Sequence, residues 1–334
     1  MTRFLKEHWL LVLAVFLLFL MSVPLCYFSV FSARLDPRSA EFGLFAEPEG
    51  APRIGICLND LAELRWTVER AVWSGAARER RIPIQIRIAH HSLERQIRQI
   101  RYYMAQRVRV LILVPVSRDG LRAVLQEASG RGMKILLYDE LTLGPADFYY
   151  GIDYHALGRE QAAAVVAAAG PGNYLLFRGP ADSEKADWLA GGQLEALRQA
   201  ERQPVRLQST VELPRWSAEQ AAIKARSLLI HQKIRAILTP SDLIAEEIGR
   251  TLAGQQPPYS FLAGLGAEPA LRERIKAGGR ALTLQVDYAQ LARAAFDGAR
   301  QLLDGGVPAK NAAVGLDSAR LPAWLLRNFT VVSR

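Results

Sequence analysis

The 334-residue chain predicts two doubly wound parallel sheets preceded by a membrane-spanning segment. Three observations carry this. From Arg53 to Asp304, short β-branched runs alternate with longer amphipathic stretches, the pattern of strands followed by crossover helices. The alternation supplies ten strands, which are many for one sheet and natural for two, and it divides the body near Gly151. Ahead of the body, Trp9 to Val30 is nearly unbroken Leu, Val, Phe and Ala without a charge, close to the ~20 residues a helix needs to cross hydrocarbon.

Residues 1–8 form a stub whose Arg3 and Lys6 stay cytoplasmic under the positive-inside tendency, although Arg34 and Arg38 beyond the span weaken the asymmetry. A cleavable signal peptide would have a shorter apolar region closed by small residues, and Val30-Phe-Ser32 fits that poorly. Cys26 follows Val23-Pro-Leu25, where a lipoprotein site would carry a small residue. Residues 9–30 are therefore read as an uncleaved signal anchor in the cytoplasmic membrane, single-pass, with the body on the periplasmic or extracellular side. Residues 31–52, mixed in charge and containing Pro, Gly and Ser, read as a linker.

In the body the expected strands are Ile54–Leu58, Ile82–Ile88, Val108–Val114, Lys134–Tyr138, Tyr149–Ile152, Tyr174–Arg178, Val205–Ser209, Ala236–Thr239, Ser260–Leu265 and Ala281–Val286. The expected helices are Leu61–Arg80, Leu93–Arg107, Arg118–Arg131, Ala156–Ala169, Ser183–Glu201, Ala218–Gln232, Ile244–Ala253 and Tyr288–Asp304. In the first helix, Leu61, Leu64, Val68 and Val72 share a stripe at helical spacing that should face the sheet. Trp66 lies off that stripe and near the carboxyl edge, where an indole can cover the apolar face of a sugar ring. The alternative is that Trp66 and Trp73, seven apart, pack together against another helix or a partner.

Composition excludes several functions. The formal charge of +9 comes from scattered Arg with no dense block beyond Arg78-Glu-Arg-Arg81, so a solvated face is expected rather than a nucleic-acid surface. There is no phosphate loop and no Gly-x-Ser-x-Gly elbow, and Gly264-Leu-Gly266 lacks the third glycine of a dinucleotide fingerprint. No enzyme activity, cofactor or metal is therefore expected. His90-His91 read as surface polar residues, and Cys26 and Cys57 fall in the membrane and in a core strand, too far apart in kind to pair.

What remains is carboxylates at strand ends: Asp60, Asp139, Asp153 and Asp242. Ile135-Leu-Leu-Tyr-Asp139-Glu140 is the most telling, an apolar run ending in acid where the chain leaves the sheet. Asp139 is the first ligand candidate there, with a turn or helix cap as the alternative.

The order and spacing of Ile54-Gly-Ile-Cys-Leu-Asn59-Asp60-Leu, Arg65-Trp66, Ile135-Leu-Leu-Tyr-Asp139, Asp147-Phe-Tyr-Tyr-Gly-Ile-Asp153, Gly172-Asn-Tyr-Leu-Leu, Ala190-Gly-Gly-Gln193 and Ala236-Ile-Leu-Thr-Pro-Ser-Asp242 resemble the periplasmic sugar-binding family of the type I periplasmic binding fold. Within that family the chain resembles the D-xylose-binding and ribose-type receptors, and the resemblance covers roughly residues 52 to 305. It implies two lobes, 53–151 plus 287–309 and 152–286 plus 310–334, joined by three hinge crossings near Gly151–Asp153, Gln285–Asp287 and Lys310. It implies sugar contacts at Arg65, Trp66, Asp139, Asp153 and Asp242, with Asn59 and Asp60 beside them. Where the family has Arg after the strand-four Asp this chain has Glu140, where it has Asn after the hinge Asp the chain has Tyr154, and its Asn-Asn pair falls at Glu184-Lys185. The family's next Asp appears as Gly266 and its hinge Lys as Val286. The cleft is thereby richer in acid, which suits an amine-bearing ligand, with Lys185 as an internal counter-charge.

The expected function is a membrane-anchored extracytoplasmic solute-binding protein that closes on a sugar or sugar-like molecule and presents it to a membrane sensor kinase or ABC permease. The alternative is the sensor domain of a signalling system for a non-sugar ligand, an amine among them. A doubly wound enzyme ranks lower, and a sugar-responsive transcription regulator would begin with a helix-turn-helix where this chain has an apolar span.

Overall fold

Apolar runs that are buried on both faces can only be strands covered on both sides, and the structure builds two such sheets from them. It is a computed structural model that describes residues 53–61, 65–181, 183–200, 204–214, 216–229, 233–253, 261–316, 319–327 and 329–333. The expected anchor at 9–30 and linker at 31–52 lie outside these residues. Among the described residues, no helix is long and apolar enough to cross a membrane.

The strands are β1 Ile54–Leu58, β2 Ile84–Ile88, β3 Val110–Leu113, β4 Lys134–Tyr138, β5 Phe148–Ile152, β6 Gly172–Arg178, β7 Val205–Glu212, β8 Ala236–Leu238, β9 Phe261–Leu265, β10 Ala281–Val286, β11 Ala312–Leu316, β12 Ala319–Leu326 and β13 Phe329–Val332. The helices are α1 Arg65–Arg80, α2 Leu93–Ala105, α3 Arg122–Gly130, α4 Tyr154–Ala169, α5 Glu184–Ala200, α6 Ala218–Leu229, α7 Asp242–Thr251, α8 Pro269–Lys276 and α9 Tyr288–Leu303. The first sheet runs β11-β12-β5-β4-β3-β1-β2 and the second β13-β10-β9-β8-β6-β7. Neighbouring strands are parallel except in the pairs β11–β12 and β10–β13.

The result is a two-lobed α/β protein whose chain passes between the lobes three times. Two crossings are built alike. β5 leads into Asp153 and β10 into Asp287, each an N-cap in nearly the same conformation (φ −74°, ψ 80° and φ −80°, ψ 78°), and each carboxylate accepts a hydrogen bond from the N–H three residues on. The third crossing corrects the sequence reading, which placed it near Lys310 and gave 310–334 to the second lobe. Strands Ala312–Leu316 and Ala319–Leu326 instead join the first sheet, because β12 pairs in parallel with β5 and β11 pairs antiparallel with β12, so the chain crosses at Arg327 before β13.

Three strands and one helix were not expected. β11 and β12 are rich in Ala and include Pro322, and β13 is a short edge strand, so none shows a strong period of two. Helix α8 spans eight residues and buries only Leu271 and Ile275.

The first helix also corrects the reading. Its buried residues are Arg65, Trp66, Glu69, Trp73, Ala76 and Ala77, whereas Val68 is 46% exposed. Leu64 lies outside the described residues. The reason is α9, which packs alongside α1 and covers the aromatic side: Trp73 donates its indole N–H to the Ala292 carbonyl (3.0 Å). Trp66, 4% exposed, packs into the same core.

One close helix contact sets up the site. A Cβ at Gly192 would overlap the His155 carbonyl oxygen and one at Gly158 would overlap that of Leu189, so only glycine lets the α4 and α5 backbones touch. The approach brings the first turns of both helices, with Tyr154 and Lys185, side by side: the Lys185 ammonium lies 5.0 Å from the Tyr154 ring centroid.

Candidate functional site

Strand β4 is buried from Ile135 to Tyr138 and delivers the chain to Asp139, which turns in the left-handed region (φ 61°), a conformation that Asp and Asn tolerate better than most side chains. The turn is held from β5: the Asp139 N–H donates to the Tyr150 carbonyl (2.8 Å), and the Tyr149 hydroxyl donates to the Asp139 carbonyl (3.0 Å). The carboxylate, 3% exposed, is thereby fixed at the carboxyl edge of the first sheet.

Both of its oxygens have partners, and they come from both lobes. Oδ2 accepts from Arg65 Nη1 at 2.9 Å and from Lys185 Nζ at 3.5 Å, while Oδ1 accepts from the Tyr154 hydroxyl at 2.6 Å. Lys185 also lies 3.7 Å from Glu140 Oε1. Arg65 is itself clamped, with its guanidinium 4.4 Å from the Trp66 ring centroid and 4.3 Å from that of Tyr288. Its Nη2 and Nε reach Glu69 at 3.2 and 3.4 Å, and Glu69, fully buried, accepts from the Tyr138 hydroxyl at 2.7 Å. Arg118 of the first lobe pairs with Glu184 of the second beside this cluster.

Burial pushes every one of these acids upward, and the neighbouring charges decide whether the net shift is up or down. For Asp139 burial acts upward, but the Arg65 charge, then Lys185 and the Tyr154 hydrogen bond, outweigh it and hold the carboxyl down to about 2. For Glu69 burial prevails over Arg65 and Tyr138 and pushes the carboxyl up to about 7. Burial also raises Tyr138 and Tyr154 well above the ordinary phenol value, so both hydroxyls remain donors.

The other expected site residues sit apart from this cluster. Asp153 caps α4, and its second oxygen accepts from Arg327 Nε at 2.7 Å, which ties the first and third crossings together. Asp242, buried at the start of α7, accepts from the Thr283 hydroxyl (2.7 Å) and the Glu268 N–H (2.6 Å), and burial pushes it up to about 7. The Asn59 side chain accepts from the N–H of Asp60, and Asp60 pairs with the exposed His91. Among the described residues no group of His, Cys, Asp and Glu is arranged to hold a metal ion. Cys57, which donates to Gln99 (3.0 Å), is a buried thiol that burial pushes up to about 12.

These shifts have a consequence for pH. Folded Glu69 and Asp242 retain a proton that the unfolded chain releases near 4.5 and 3.8. Between these values and about 7 the native state binds more protons than the unfolded one, so both groups lower stability as pH rises through that window and change little above it. Asp139 acts the other way: its contribution is full above 3.8 and is lost as pH falls through about 2. Urea unfolding across this range should show stability falling from mildly acid pH towards neutrality, with a shallower fall in Asp242→Asn. A rise over the same window would contradict the burial assigned to these two carboxyls.

Glu69, Tyr138 and Tyr288 were not singled out from the sequence. Glu69 carried a signal, an acid four residues after Arg65 on a helix, the spacing at which opposite charges meet. Tyr138 and Tyr288 carried none beyond a place at a strand end and a helix start.

Two α/β lobes whose facing edges are bridged by one polar cluster define a bilobal binding protein. Residues 66–306 match the family model described as periplasmic binding protein domain, and the chain belongs to that family. It is similar to the D-xylose-binding periplasmic proteins of Haemophilus influenzae (26% identical, 84% of this chain and 86% of the relative) and Escherichia coli (26%, 82% and 84%). It is also similar to the multiple sugar-binding periplasmic protein SbpA of Azospirillum brasilense (26%, 84% and 85%). These relatives are binding proteins and not enzymes. Among solved structures, the fold is shared with the carbohydrate transporter solute-binding protein of Chloroflexus aurantiacus in complex with D-glucose (TM-score 0.76, 22% identical, 84% of this chain and 92% of that one). It is likewise shared with the Caulobacter myo-inositol-binding protein (TM-score 0.69, 18%, 87% and 96%).

Proposed function

We propose that this chain is a membrane-anchored extracytoplasmic solute-binding protein that closes on a sugar or sugar-like molecule and presents it to a membrane partner, an ABC permease or a sensor kinase. The observation that carries the reading is the Asp139 carboxylate, which takes Arg65 from the first lobe and Tyr154 and Lys185 from the second. A charged acceptor that gathers donors from both lobes is what a hydroxyl-rich solute would exploit to couple binding to closure. The relatives named above bind xylose or several sugars, which supports the same ligand class. Arg65, Asp139, Glu140 and Tyr154 are the proposed contacts, Lys185 sits on the same two carboxylates, and Trp66 and Tyr288 act through Arg65, whose plane they fix. Asn59 and Asp60 border the first lobe's edge, and Asp153 and Asp242 support the hinge and the second lobe's loops.

The anchor rests on the length and apolar character of Trp9–Val30. It also favours a receptor kept beside one partner. Mass spectrometry of membrane-extracted protein should find this segment retained, and a mature N-terminus beyond Ser32 would defeat the anchor. The ligand class is tested by a thermal-shift screen of residues 34–334 against pentoses, hexoses, polyols and amines. A true ligand at 100 times its dissociation constant stabilises by about 2.7 kcal/mol, an easily read shift. Silence across the sugars and polyols would contradict the reading.

A further inference from the structure

The cluster at Asp139 contains one cation in a place that helix energetics does not explain. Lys185 is the second residue of α5, and the first turn of a helix presents partial positive charge, so an ammonium is disfavoured there. Its head turns away from its own helix and reaches the other lobe, 3.5 Å from Asp139 Oδ2 and 3.7 Å from Glu140 Oε1, with the Tyr154 ring centroid 5.0 Å away. Two carboxylates and an aromatic face are the components from which ammonium sites are made. The lysine side chain is 20% exposed, and its four-carbon stem is flexible enough to swing out without moving the helix.

We propose that Asp139, Glu140 and the Tyr154 ring form an ammonium site which Lys185 occupies as a tethered internal ligand, and that the cleft takes an amine-bearing sugar or polyol in exchange for it. This rests on the sugar-class reading above and names the chemistry of one ligand substituent. A neutral sugar entering the same place would have to satisfy Asp139 and Glu140 with hydroxyls alone while the lysine charge is expelled. An amino sugar replaces that charge as it enters.

The test uses wild type, Lys185→Met and Lys185→Arg, each titrated calorimetrically with D-glucosamine and with D-glucose in slightly acid buffer, where the amine is charged. The Met variant keeps the length of the side chain without the cation, and melting curves establish that it folds. Lys185→Met should bind D-glucosamine about tenfold more tightly than wild type does, the equivalent of about 1.4 kcal/mol. It should also prefer D-glucosamine to D-glucose by about the same factor, while Lys185→Arg, which keeps a cation in place, stays as weak as wild type. Equal gains for both sugars would overturn the proposal by showing that Lys185 merely fills a neutral site. So would loss of D-glucosamine binding in the Met variant, which would make Lys185 a contact to the ligand, and so would a folded Met variant that binds neither. The sugar-class reading falls separately, only if wild type answers to no sugar or polyol in the wider screen.

Discussion

Asp139→Asn should destabilise the ligand-free protein by about 3 kcal/mol, the low end of what removing one partner of a buried ion pair costs. Asn suits the left-handed backbone at this position, so the turn survives and the effect isolates the charge. What the variant loses is the counter-charge to Arg65 and Lys185, and the Tyr154 hydroxyl keeps only a neutral acceptor. Glu69 still faces Arg65, which keeps the cost from rising further. An exposed acid that only lined a cleft could become Asn with almost no effect on the empty protein. Urea unfolding decides between the two, and a change within about half a kcal/mol would mean that the cluster contributes nothing net to folding.

Trp73→Ala should cost about 3–5 kcal/mol, the range for emptying a large aromatic site in a core. The ring is fully buried, meets Tyr138 edge-on with centroids 5.3 Å apart, and ties α1 to α9 through its bond to the Ala292 carbonyl. The substitution leaves a cavity between two helices and removes the indole's bond to the Ala292 carbonyl. Trp66→Ala should also destabilise, because it removes one of the two rings that hold the Arg65 plane. The measurement is the shift of the urea midpoint at constant slope, and a loss below about 1 kcal/mol would contradict the packing described for α1 and α9.

The physical reasons for what was legible differ between fold and site. The central strands are apolar on both faces, so the runs at Ile54, Val110, Ile135 and Ala236 could be placed within a residue or two from composition alone. The last part of the chain could not. β12 is defined by its partner β5 and β11 by its partner β12, and pairing at a sheet edge leaves little trace in local periodicity. Helix α1 misled for a related reason. Its apolar stripe of Val68 and Val72 competes with an aromatic stripe of Trp66 and Trp73, and only the position of α9 decides which one is buried. At the site, Asp139 stood out because it ends an apolar strand at the carboxyl edge of the sheet, and Arg65 only through the resemblance to the sugar-binding family's Arg-Trp pair. Their connection through Glu69, Tyr138 and Tyr154 depends on which donors the two lobes bring together, a tertiary fact. The strand-end acids Asp153 and Asp242 look alike in sequence, yet one is a helix cap bound to Arg327 and the other a buried acceptor for Thr283.

The central claim is that a solute held between the lobes engages Asp139. Calorimetric titration of wild type and Asp139→Asn with whichever sugar-class ligand the screen identifies tests it most directly, at a temperature where both remain folded. Binding should weaken by roughly 1.5–3 kcal/mol in the variant, the worth of hydrogen bonds to a charged acceptor. Unchanged affinity in a folded Asn variant would mean that Asp139 only braces Arg65 and Lys185, and that the solute sits elsewhere.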